Sequence, residues 1–167
     1  MSTAGVSTYL RWKKDVAGHD YAAAASYLSI RLGGQQAEAV VAELRKLPVI
    51  TRRANDILRA TGRDPLPLSD PGVLKDLKKV LSGEKLSPVL VAEADVADGY
   101  HRLSLAYALD PYADVPLKLG EPGPAARLAT ASPDAGGGQP EPGYAAAAAF
   151  SGTAAVSWPG LLALARR

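Results

Sequence analysis

The composition of this chain breaks at Gly120, and the stretch from there on reads differently from the body ahead of it, either docking on that body or fraying. From Gly120 to Arg167 the 48 residues hold 8 Gly, 6 Pro and 14 Ala, with three basic residues balancing three acidic ones. The centre of this stretch, Ala135-Gly136-Gly137-Gly138-Gln139-Pro140-Glu141-Pro142-Gly143, joins flexible glycines to helix-blocking prolines and has little apolar surface to hide. A loop or disorder is expected there, flanked by short helical turns at Tyr144–Phe150 and Leu161–Ala165 that Gly152, Pro159 and Gly160 interrupt. The residues before Gly120 suffice for one domain.

The rest of the composition narrows the chemistry. Of 167 residues none is Cys, which excludes disulfides, thiolate nucleophiles and Cys-based zinc sites. Lys and Arg number 19 against 17 Asp and Glu, so any basic surface must be local. Hydrophobic residues make up 47% and charged ones 22%, the balance of a chain that folds in water. The longest apolar runs, Tyr21–Leu28 and Tyr144–Phe150, fall far short of the ~20 residues of a membrane span. The N-terminus lacks a basic-then-apolar leader, so the expectation is a cytoplasmic protein with no membrane partner.

Periodicity and punctuation give the elements. Asp20 opens a helix through about Leu32, with Tyr21, Ala24, Ala25, Leu28 and Leu32 on one stripe and Gly33-Gly34 as its stop. A second helix over Gln36–Leu47 carries Ala37, Val40, Val41, Leu44 and Leu47 inward and ends at Pro48. Val49-Ile50-Thr51 suits a strand, and Asn55 or Asp56 can cap a helix Ile57–Thr61. Ser69-Asp70-Pro71 starts a helix whose buried stripe is Val73, Leu74, Leu77, Val80 and Leu81, leaving Lys75, Lys78 and Lys79 wet. Pro88–Ala92 reads as a covered strand, Val96-Ala97 as a brief one, and Leu103, Leu105, Ala106 and Leu109 as the inner face of a helix that Pro111 breaks. Val115–Leu119 is a last strand, expected at a sheet edge because of Pro116. The fold class is thus α+β, a small mixed-sheet core over residues 49–119, with an N-terminal helical hairpin over 1–48 and a Gly/Pro/Ala-rich tail over 120–167.

Chemistry concentrates in Asp98-Gly99-Tyr100-His101-Arg102. A strand, a glycine turn and a helix start leave backbone N–H groups without partners and aimed at one point, and such a point attracts phosphate. Gly99 permits close approach of backbone to ligand, and Arg102 offers a planar fork of donors at fixed charge. His101 titrates near neutrality and can donate to phosphate or move a proton. Asp98 is an acceptor suited to Mg²⁺ or to a hydroxyl nucleophile, and Tyr100 is a candidate base or ribose contact. The same five residues also spell an ordinary turn and helix start.

The stretch Leu86–Leu109, and more loosely Val49–Leu119, resembles the ParB/sulfiredoxin superfamily. Gly83-Glu84-Lys85-Leu86-Ser87-Pro88-Val89-Leu90-Val91 is similar to that family's approach to a Pro-hydrophobic strand. Ala97–Arg102 is similar to its Gly-x-x-Arg signature, and Ala106 stands at the usual small position in the next helix. The resemblance implies nucleotide binding, of ADP, ATP or CTP with Mg²⁺, through Gly99, Tyr100, His101 and Arg102, with Asp98 and His101 as catalytic candidates for phosphoryl transfer or nucleotide hydrolysis. Two departures limit it. Tyr100 stands where sulfiredoxins carry their catalytic Cys, and no helix-turn-helix follows the core as it does in ParB partition proteins. A non-catalytic module that binds nucleic acid or a partner protein on the same fold is the alternative.

Between Arg45 and Arg63 six basic residues, Arg45, Lys46, Arg52, Arg53, Arg59 and Arg63, meet the single acid Asp56, a local charge of +5. Nucleic acid could contact Arg45, Arg52, Arg53 and Arg59, although scattered arginines on exposed element ends are commonly just a solvated surface. Tyr9, Trp12, Tyr21 and Tyr27 could stack on bases but lie at spacings that favour a core. Two His without Cys do not make a conventional metal site, so His19 reads as a surface or capping residue.

Overall fold

The computed structural model describes residues 10–121 and residue 123, so Tyr9 and the expectations for the tail beyond lie outside the described residues. The described chain runs α1 (Gly18–Leu32), α2 (Gly34–Lys46), β1 (Ile50–Arg53), α3 (Ala54–Thr61), α4 (Pro71–Leu81), β2 (Val89–Ala92), β3 (Asp95–Asp98), α5 (Tyr100–Leu109) and β4 (Asp114–Leu119). It is an α+β fold around one mixed four-stranded sheet.

Local chemistry explains most boundaries. Asp70 caps α4 by accepting from the Gly72 and Val73 amides at 2.8 and 3.1 Å, and Pro71 occupies the first helical position, where its missing N–H is not needed. Gly62 ends α3 in the left-handed region, its amide returning to the helix's last carbonyls. α3 itself begins at Ala54, ahead of Asn55 and Asp56, without a side-chain cap. The Ala54 and Asn55 amides instead donate to the Ala113 and Pro111 carbonyls, a tertiary solution that local sequence does not announce.

The sheet order is β1-β4-β2-β3, with β2 and β4 parallel and the outer pairs antiparallel. β4 is therefore interior, contrary to the edge position expected from Pro116. Gly120 N–H donates to the Val91 carbonyl at 2.8 Å, and alternation then turns residues 116 and 118 toward β2 as well. The β2–β4 pairing begins only at Val89 and Leu117, so the amide that Pro116 lacks faces no ladder. A proline is tolerated inside the sheet because its neighbour strand starts one residue later.

Strand alternation divides the core. Leu90, Ala92 and Ala97 point to one face, where they meet Ala24, Leu28, Val41 and Leu44 of the α1–α2 hairpin. Val89, Val91, Val96, Val115 and Leu117 point to the other, against Ala54, Ile57 and Leu58 of α3 and Leu103 and Ala106 of α5. α4 lies outside α5, closing a smaller cluster of Val73, Leu77, Leu86 and Leu105. Leu28, Leu44 and Leu90 are fully buried, each worth roughly 2 kcal/mol on transfer from water. The N-terminal hairpin is thus a layer on the sheet, and its inner face reaches the end of β3.

Candidate functional site

β3 ends at Asp98, and Gly99 turns the chain into α5 with φ +93°, a left-handed conformation that strains any side-chain-bearing residue. Gly99 is itself the N-cap of α5, so no side chain caps the helix. Beside this turn opens a cleft of about 260 Å³ bordered by Tyr27, Arg63, Asp98, Gly99, Tyr100 and His101. Four of the five residues from Asp98 to Arg102 thus come together at one opening.

Arg102 takes a different direction. Its guanidinium folds back over the turn and donates to Asp98 Oδ2 at 2.6 Å and Asp20 Oδ2 at 3.2 Å, leaving the side chain only 12% exposed. A Cβ on Gly99 would lie 2.9 Å from that guanidinium, so the glycine serves the arginine's path as well as the turn. Arg102 Nε is buried without a partner. Burial raises the Asp98 carboxyl pKa above its ordinary value and the nearby charge of Asp20 adds to this, while Arg102 pulls against both.

His101 lies at the rim, half-exposed, with Nε2 3.6 Å from Asp70 Oδ1. Its ring rests on the first turn of α4, where a Cβ on Gly72 would come within 2.4 Å of the imidazole. Tyr100 donates its hydroxyl to the Asp64 carbonyl. The site is therefore assembled from β3, α5, the start of α4, α1 and the loop after α3.

That loop supplies Arg63, which sequence reading placed only within a basic stretch. Its guanidinium holds the Asp95 carboxylate at 2.8 and 2.9 Å and lies 5.9 and 5.5 Å from the centres of the Tyr27 and Tyr100 rings. Tyr27 and Arg31 of α1 also donate to Asp95, at 2.6 and 2.8 Å. Burial opposes ionisation of Asp95, but the hydrogen bonds from Arg63, Tyr27 and the Val96 amide outweigh it and hold the pKa at about 2. The only local hint was the spacing of Tyr27 and Arg31, four apart on one helix face.

The remaining basic residues do not converge in the same way. Arg52 and Arg53 are successive on β1, so their side chains leave opposite faces of the sheet. Arg45 stacks on Tyr21 at 4.2 Å, Arg53 lies 5.9 Å from the Tyr112 ring, and Arg59 is 3.9 Å from Asp56. Tyr21 is buried, and Trp12 packs beside the core. Among the described residues no three His, Asp or Glu side chains gather as a metal cage, and no helix is long and apolar enough to cross a membrane. Comparison with protein-family models, curated proteins and solved structures matches the chain to none of them.

Proposed function

We propose that this chain binds a nucleotide, ADP, ATP or CTP, by its phosphates at the start of α5, as its resemblance to the ParB/sulfiredoxin superfamily implies, with phosphoryl transfer or nucleotide hydrolysis as the accompanying reaction. Support comes from one coincidence: the first turn of α5, which no side chain caps, and the glycine that begins it border a cleft of about 260 Å³. In this reading the amides of Tyr100, His101 and Arg102 hold phosphate oxygens, His101 donates from the rim, and Tyr100 contacts ribose or base. Asp98 offers one carboxylate, which suits Mg²⁺, an ion commonly held by one or two carboxylates together with substrate phosphates. Bound Mg²⁺ would neutralise phosphate charge. Arg102 fixes the Asp98 carboxylate at 2.6 Å and positions it, rather than reaching the phosphates itself.

The pairing of Arg102 with two carboxylates also favours a second reading, in which the turn is a structural clamp on a non-catalytic interaction module. Titration calorimetry with ADP, ATP and CTP separates the two. The nucleotide reading expects saturable binding with Mg²⁺. It also expects Asp98→Asn to weaken binding at least tenfold with Mg²⁺ and to strengthen it without the ion, because a carboxylate beside bound phosphate repels it when no cation stands between them. No binding at millimolar nucleotide, or affinities that Asp98→Asn leaves unchanged in both conditions, supports the clamp.

A further inference from the structure

Asp95 attracts more positive charge than it can neutralise. Arg63 donates to it at 2.8 and 2.9 Å and Arg31 at 2.8 Å, so two guanidinium groups stand against one carboxylate. Arg63 uses only one edge in this pair. Its Nε and Nη2 meet the two Asp95 oxygens side by side, and Nη2 also donates to the Tyr27 hydroxyl. In a planar guanidinium that bidentate edge turns Nη1 away from the carboxylate. Nη1 has no hydrogen-bond partner among the described residues, and the Arg63 side chain is 36% exposed, against 12% for Arg102.

Arg63 borders the cleft at the start of α5 and is the only guanidinium among the described residues that does. It also borders a second hollow of about 360 Å³, together with Arg59 and the exposed Asp64. The acids on the α5 side are matched less fully than the cations. Asp98 and Asp20 share Arg102, which leaves one carboxylate in excess when the His19 ring beside Asp20 is neutral. A cleft bordered by an arginine with a free donor and by a carboxylate in excess suits a phosphate group together with its Mg²⁺.

We propose, resting on the nucleotide reading of this cleft, that Arg63 is the side-chain cation that contacts the phosphates, through Nη1, and that Asp95 and Tyr27 are positioning residues that hold its guanidinium for them. The bonds to Asp95 and Tyr27 fix the arginine before any ligand arrives, so little rotamer freedom is lost on binding. Asp98 is then left to the metal ion, and Arg102 to the Asp98 carboxylate. Arg63 thus takes the part that the Gly99–Arg102 spacing assigns to Arg102.

The test uses the full chain, with calorimetry of ADP in the presence of Mg²⁺ and NMR of the arginine Nε–H groups during titration with inorganic pyrophosphate and Mg²⁺. The Arg63 resonance should shift saturably while those of Arg31, Arg59 and Arg102 hold still. Arg63→Lys keeps a charge for Asp95 but cannot serve two acceptors at once, so ADP affinity should fall at least about tenfold. Arg31→Lys makes the same change on the same carboxylate away from the cleft, and affinity should stay within about threefold. A folded Arg63→Lys protein that binds ADP as tightly as the wild type overturns the assignment and leaves the nucleotide reading standing, as does a shift at Arg102 or Arg59 in place of Arg63. Equal weakening by the two lysine variants reduces Arg63 to a strut of the Asp95 cluster and overturns it too. If Arg63→Lys fails to fold, the wild-type resonances decide. No binding by the wild type at millimolar ADP or pyrophosphate overturns both the assignment and the reading beneath it.

Discussion

Arg102 is where charge and packing meet most tightly. Asp20 is almost completely buried and Asp98 largely so; the arginine contacts both, and the exposed His19 ring lies 3.0 Å from the other Asp20 oxygen. Removing one partner from a buried ionic group leaves the others uncompensated, which costs far more than a surface pair is worth. Arg102→Ala should therefore lose about 3–5 kcal/mol by urea denaturation at neutral pH. The deficit should shrink as the pH falls, because the stranded Asp98 carboxylate, already raised by burial, can take up a proton instead of remaining charged. An equal loss at pH 4 and pH 7, or one below about 1 kcal/mol, would show that the guanidinium does not compensate these groups. Asp98-Gly99-Tyr100-His101-Arg102 was legible as a turn with an arginine near it, since those positions are neighbours in sequence. The arginine's destination was not, because Asp20 stands 82 positions away and its acid reads equally well as part of a helix start.

At the scale of elements, the β2–β3 hairpin departs furthest from local preference. Glu93 and Ala94 form its turn with φ of +54° and +59°, where Asn-Gly or Gly-Gly would be at ease. Each side-chain-bearing residue in the left-handed region costs about 1 kcal/mol or more. Glu93 has a compensating contact, its buried carboxylate accepting from the Gly123 amide at 3.1 and 3.0 Å. Ala94 is exposed and has no such side-chain contact to lose. Ala94→Gly should consequently stabilise the protein by about 0.5–1 kcal/mol, read as a higher urea midpoint with an unchanged slope. A lower midpoint would mean that the added chain entropy outweighs the relieved turn. The same contrast explains which elements could be read in advance. α4 is legible because Asp70 and Pro71 act on the next few residues, and β2 because both its faces are apolar. The start of α3 and the interior place of β4 depend on amides and carbonyls far along the chain, so propensity alone misplaces them.

Across the whole molecule, Asp95 joins parts that no single element would hold. Its carboxylate receives Tyr27 and Arg31 from α1 and Arg63 from the loop after α3, while the residue itself belongs to the sheet's outer strand. The helical hairpin is thus fastened to the sheet by charge at this edge as well as by the apolar layer beneath it. A carboxylate held at about 2, against an ordinary 3.8, binds its proton less readily in the folded state than in the unfolded one. Its contribution is therefore fully present above pH 3.8 and is lost as the pH falls through about 2. The shift corresponds to about 2 kcal/mol of pH-dependent stability. Asp95→Asn removes the titrating group but keeps an amide oxygen for the same donors. The stability gap between the two proteins should accordingly be widest near pH 6 and narrow by about 2 kcal/mol on going to pH 2, where the wild-type carboxyl is half protonated or more. Urea denaturation at several pH values reads this gap directly. A gap that stays constant from pH 6 to pH 2 would mean that Asp95 holds the hairpin through shape and neutral hydrogen bonds, and that its charge does not fasten the two layers.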